Sequence, residues 1–205
     1  MTQAAAPVRP DAQTAPELTL PPQEAAALRA GYEAAEVILE YGTGGSTLMA
    51  AQLPGRAVFG VDSDPDWIAG LEAWFGANPS EARVVLHHGD IGPVARWGYP
   101  AGSQSWRRFQ RYPLGVWDRD DFRHPDVVLI DGRFRAACYL TVLFRITRPV
   151  TVYWDDYTDR PGYREVERLS APVALHGRMA EFRAEPTPVP PEALDWVIGT
   201  YARPN

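Results

Sequence analysis

Carboxylates stand in this chain where they could do chemistry. Short apolar runs close as "VILEYGTGG", "FGVDS", "LHHGD", "VVLID" and "TVYWDD", so Glu40, Asp62, Asp90, Asp131, Asp155 and Asp156 each lie at the end of such a run. A carboxylate offers two acceptor oxygens, which suits a vicinal diol or an amino group. Several that converge could take a proton from a bound acceptor or hold a hard divalent cation, which prefers oxygen ligands. Asp is also a common turn and cap residue. Asp64, directly before Pro65, reads as a helix cap, whereas Asp62 has no such use from its position alone. The cluster Gly42, Thr43, Gly44 after Glu40 and Tyr41 adds a tight turn at which backbone amides can approach a ligand.

Groups at the ends of separate runs meet only if the runs are neighbouring strands. The runs are apolar nearly throughout, as parallel strands covered on both faces are. Helix-like segments separate most of them: STLMAAQL, DPDWIAGLEAWFG, RAACYLTVLFRI and YREVERL, with QEAAALRAGYEAA ahead of the first run. This alternation predicts an open α/β sheet that binds its ligand beyond the carboxyl ends of the strands. The segments PVALHGRMAEFRAEP and ALDWVIGTYARP are expected to pair as two antiparallel strands at the sheet edge, with His176 and Met179 in structural roles. Residues 1–22, rich in Ala, Pro, Thr and Gln, read as a flexible tail, and 23–205 as one domain.

Composition removes several mechanisms. All 20 basic side chains are arginine, so lysine Schiff-base chemistry and the GxxxxGK[ST] phosphate loop are excluded. One cysteine, Cys138, and four histidines give no zinc-type cluster. A net charge of −6 argues against nucleic acid or an anionic membrane as partner. No run is apolar over the about 20 residues of a membrane span, and the opening lacks a signal-peptide core, so the cytoplasm is the expected location. A dinucleotide turn, GxGxxG or GxGxxA, is broken by Thr47, and Glu40 would repel a pyrophosphate while welcoming an amino group.

The motif EYGTGGST resembles the first motif of the class I S-adenosylmethionine-dependent methyltransferases, with GxGG in place of GxGxG. Asp62, at 62 − 42 = 20 residues past Gly42, matches the acidic residue of that family that accepts both ribose hydroxyls. In HHGDI, Gly89 and Asp90 resemble the motif that takes the adenine amino group, and DVVLIDG the strand beside the methyl donor. The resemblance implies a Rossmann-like, mostly parallel seven-stranded α/β sheet with helices on both faces. It implies S-adenosylmethionine as cofactor, held by Glu40, Tyr41, Gly42, Thr43, Gly44, Asp62, Ser63, Gly89 and Asp90. Within the superfamily, Asp131 followed by Asp155 and Asp156 is similar to the metal pattern of the divalent-cation-dependent small-molecule O-methyltransferases. That implies Mg²⁺ on Asp131, Asp155 and Asp156, with Asp131 and Asp155 catalytic and a small molecule as acceptor. The lysine that branch carries near its fourth motif is replaced here by Arg133 and Arg135. The alternative for the three carboxylates is structural: Asp155 and Asp156 capping a turn, and Asp131 bracing the next helix.

Between the third and fourth runs, residues 93–124 form a long insertion dense in aromatics, with more arginines than acids. Trp97, Tyr99, Trp106, Phe109, Tyr112 and Trp117 could wall an acceptor pocket as a lid, with Arg107, Arg108 or Arg111 pairing an acidic group. They could equally pack as a local core or form a homodimer contact. Two rival functions remain at this level: a methyltransferase-like protein that holds the nucleoside without turnover or serves as an interaction module, and an NAD-dependent oxidoreductase.

Overall fold

The computed structural model describes residues 8–204. Helix α1 (Pro22–Ala34) leads into β1 (Val37–Tyr41), α2 (Gly45–Ala51), β2 (Ala57–Asp62), α3 (Pro65–Ala77) and β3 (Arg83–His88). The insertion follows, with α4 (Arg111–Leu114) among short 3-10 turns. The chain then continues through β4 (Val127–Ile130), α5 (Arg135–Arg145), β5 (Val150–Trp154), β6 (Ala174–His176), β7 (Met179–Ala184) and α6 (Leu194–Tyr201). The seven strands form one sheet in the order β3-β2-β1-β4-β5-β7-β6. Strands β1 to β5 are parallel, and β7 runs against both β5 and β6. The sheet is thus mostly parallel with a mixed edge, and every carboxylate singled out above stands at one end of it.

Both faces are covered, which is why the central strands are apolar without alternation. On one face Leu39, Tyr41, Val128 and Ile130 pack with α5 and with Phe109, Tyr112, Val116 and Trp117 of the insertion. On the other, Ile38, Val58 and Leu129 pack with Leu28 and Tyr32 of α1 and Met49 of α2. Asp64 caps α3 as expected, its carboxylate accepting from the amides of Asp66 and Trp67 (3.0 and 3.4 Å).

Three expectations change. Both edge strands come from one segment, because Gly177, at φ +58, permits a tight turn between His176 and Met179. ALDWVIGTYARP is instead helix α6, started after Pro190 and Pro191, with Val197 and Thr200 buried at helical spacing. YREVERL lies in a 3-10 helix over Pro161–Arg168, where Tyr163 and Val166, three apart, share the buried side. Of the segment read as a tail, residues 1–7 lie outside the described residues. Residues 8–21 run against α2 and α3: Arg9 pairs with Asp66 at 2.7 Å, Asn78 donates to the Ala12 carbonyl (3.3 Å), and Leu20 is buried. Among the described residues no helix is long and apolar enough to cross a membrane.

Candidate cofactor and acceptor site

The glycine turn is built by close approach. Gly42 has φ +97, and a Cβ there would stand 2.6 Å from the Gly132 amide nitrogen, so only glycine lets the exits of β1 and β4 touch. Glu40 faces away from this turn, toward α1 and α2. Its carboxylate accepts from the Tyr32 hydroxyl (2.6 Å) and from the Thr47 hydroxyl, and Thr47 Oγ1 in turn accepts from the Gly44 amide (3.0 Å). Thr47, which breaks the dinucleotide pattern, is thus the side chain that caps α2, and Glu40 holds it from below. Burial pushes the Glu40 carboxyl up to about 7 against the pull of those hydroxyls. Native protein therefore keeps a proton that the unfolded chain, at 4.5, has lost. Stability is fullest below the unfolded value and falls as pH rises through about 7, by up to about 3 kcal/mol. Denaturant titrations between pH 5 and 8 should show this slope, and Glu40→Gln should flatten it; an unchanged slope in the variant would assign it to other groups.

Asp62 lies at the end of β2 beside the turn. It accepts from the amide and hydroxyl of Thr43 (3.3 and 3.2 Å) and from the Asp64 amide (3.1 Å). Burial raises its pKa while these bonds hold it down. Ser63 donates to the Gly98 carbonyl (2.7 Å), and Tyr41 is engaged through its hydroxyl by Trp117 Nε1 and the Pro113 carbonyl (2.7 Å each). Asp90 accepts from the Gly92 amide (2.9 Å) and pairs with Arg108 and Arg111 (3.3 and 3.0 Å); the amide first, and then the two arginines, hold its carboxyl below the usual range. Tyr112 lies across the strand ends. Its backbone abuts Gly89, its hydroxyl accepts from the Arg133 amide (3.2 Å), and a Cβ at Gly132 would collide with that hydroxyl. The insertion therefore closes over the nominated nucleoside residues. Its aromatics divide, with Trp97 and Trp106 exposed and Phe109, Tyr112 and Trp117 buried in the main core. A cavity of about 310 Å³ opens elsewhere, lined by Ala136, Tyr163, Trp196 and Arg203, and none of the nominated nucleoside residues borders it.

Asp131, Asp155 and Asp156 do converge, each presenting an oxygen within 4.8 Å of the others. Arginines that the sequence reading gave no role fill the space among them. Arg135, 4% exposed, reaches Asp131 (2.9 Å) and Asp156 (3.3 Å) and donates to the carbonyls of Gly132 (2.9 Å) and Asp155 (2.6 Å). Arg178 grips both oxygens of Asp155 (3.0 and 2.7 Å), and Arg160 takes Asp156 (3.0 Å). Enclosure pushes the Asp131 carboxyl up to about 6 despite Arg135, with the like charges of Asp155 and Asp156 adding to the rise. Among the described residues the non-glycine residues with positive φ are Trp97, Phe134 and Asp156. Asp156 belongs to the cluster and Phe134 directly precedes Arg135, and strained backbone tends to gather at functional sites.

No protein-family model matches the sequence, and no curated protein does. Among solved structures, the chain is 51% identical to a methyltransferase-like protein (spo2022) from Silicibacter pomeroyi DSS-3, covering 94% of this chain and all of that one, with a TM-score of 0.90. The chain belongs to that methyltransferase-like family, within the class I S-adenosylmethionine-dependent methyltransferase superfamily. The fold alone is shared with a methyltransferase from Geobacter sulfurreducens (15% identity, 80% of each chain, TM-score 0.52). The same holds for a cofactor-bound protein, Rv0187, from MTB (17% identity, 83% of each chain, TM-score 0.54).

Proposed function

We propose that this protein binds S-adenosylmethionine beyond the carboxyl ends of β1, β2 and β3 and transfers its methyl group to a small-molecule hydroxyl. The observation that carries this reading is Asp62, a carboxylate at the end of β2 bonded to the turn that begins at Gly42. Both Thr43 donors bond to Oδ2 and the Asp64 amide to Oδ1, so Oδ1 keeps an acceptor site for one ribose hydroxyl, and the second would take the place of the Thr43 hydroxyl on Oδ2. The cofactor would supply an electrophilic methyl group. The chain's share is to position the acceptor and take its proton. Asp131, partly exposed and with its pKa raised toward neutrality, is the base in place for that proton. Asp155, its oxygens held by Arg178, positions without touching the acceptor. The NAD alternative is set aside on topology, because an antiparallel β7 between β5 and β6 departs from the dinucleotide order 3-2-1-4-5-6.

A calorimetric titration with S-adenosylhomocysteine, the demethylated product, tests the cofactor assignment. Asp62→Ala should weaken binding about thirtyfold, on the order of 2 kcal/mol, by removing both acceptors from a buried diol. Asp64→Ala should instead cost about 1 kcal/mol of stability through its lost helix cap and leave affinity unchanged. Equal affinities for wild type and Asp62→Ala would sink the assignment. A second reading, nucleoside binding without turnover, is favoured by the ion pair of Asp131 with Arg135 (2.9 Å), which opposes uptake of a proton by that carboxylate. Stoichiometric binding with no methyl transfer to any hydroxyl acceptor would decide for it.

A further inference from the structure

We propose that the cluster of Asp131, Asp155 and Asp156 excludes divalent cations because arginines already fill it, and that it ties β4, β5 and the β6–β7 turn together where the resemblance implies a metal. Spacing alone would admit an ion, since oxygens within 4.8 Å of one another can share a centre at about 2.0–2.6 Å. Charge and hydrogen bonding refuse it. Three carboxylates face Arg135, Arg160 and Arg178, so the cluster is balanced as it stands, and a dication would join three guanidinium groups in a partly buried space.

The oxygens are also committed. Asp155 has both on Arg178, and Asp156 has Oδ1 on Arg178 (3.2 Å) and Oδ2 shared by Arg135 and Arg160. Asp131 has Oδ1 on Arg135 (2.9 Å). The arginines arrive from three separate elements: α5, the loop after β5, and the β6–β7 turn. Arg178 is anchored at its other end, its amide donating to Glu24 Oε1 (2.9 Å) of α1. Admitting a cation would mean breaking the bidentate pair on Asp155, whose side chain is 2% exposed, and leaving Arg178 without it. A bidentate, charge-assisted pair is among the stronger hydrogen-bonded contacts in proteins.

The inference concerns cation binding, so it stands or falls apart from the methyl-transfer reading. Mn²⁺ titration of the full chain, followed by electron paramagnetic resonance, tests it. Wild type should show no saturable binding up to about 1 mM, the weak end of protein cation sites. Arg178→Gln, which frees Asp155 and part of Asp156, should bind at least about tenfold more tightly than wild type. Arg160→Gln, at a more exposed position, serves if the first variant fails to fold. Saturable wild-type binding that Asp155→Asn or Asp131→Asn abolishes would overturn the proposal. So would folded arginine variants that bind no better than wild type. Binding indifferent to both Asp substitutions lies elsewhere and leaves the cluster metal-free, as proposed.

Discussion

Arg135→Ala is expected to lose about 3–5 kcal/mol of folding stability, visible as a large fall in the urea midpoint with little change in slope. The guanidinium is 4% exposed and serves four acceptors at once: the carboxylates of Asp131 and Asp156 and the carbonyls of Gly132 and Asp155. Removing it leaves like charges facing one another in a partly enclosed space and orphans carbonyls at the exits of β4 and β5, and unpaired buried groups cost more than a formed pair contributes. An exposed pair gives the contrast. Arg119→Ala, which breaks contacts with the half-exposed Asp121, should cost less than about 1 kcal/mol. A loss for Arg135→Ala no larger than that would mean the cluster relaxes or hydrates, and its role as a tie would be wrong.

The sheet was legible because parallel strands covered on both faces leave an unmistakable pattern, as VILEY and VVLI do. Asp64 was legible as a cap because Pro65 follows it. The carboxylates at the strand exits were legible by position, since strand ends in a parallel sheet share one rim. Their partners were not. Arg178 lies in the β6–β7 turn and meets Asp155 only because β7 inserts antiparallel beside β5, a pairing that no local pattern encodes. Arg135, four residues after Asp131, was readable by spacing, although helix α5 starts only at Arg135 and the pair bridges a turn. The partners of Glu40 were not legible either, because an acidic residue before a glycine turn can point to either face of its strand. Parity decides: Glu40 shares the Ile38 face, toward α1 and α2. Helix α6 was lost to a short β-branched run whose burial period shows only in three dimensions.

Tyr112→Ala is expected to bind S-adenosylhomocysteine about thirtyfold more tightly than wild type, even though the substitution costs about 3–5 kcal/mol of stability. The wild-type ring is buried among Tyr41, Phe109 and Phe134, and its hydroxyl rests at the junction of Gly132 and Arg133. On the proposed placement, a nucleoside at the strand ends has to displace this ring first. Withdrawing one such side chain costs on the order of 2–3 kcal/mol, and apparent affinity falls by the fraction of molecules left open. Val116 and Trp117 can keep their core packing while this happens, so the insertion need not unfold. The decisive measurement is a pair of calorimetric titrations with S-adenosylhomocysteine, on wild type and on Tyr112→Ala held below its melting transition. One equivalent bound by both, more tightly by the variant, is the predicted result. No binding to either, or equal affinities, would contradict a nucleoside cleft closed by the chain's own insertion.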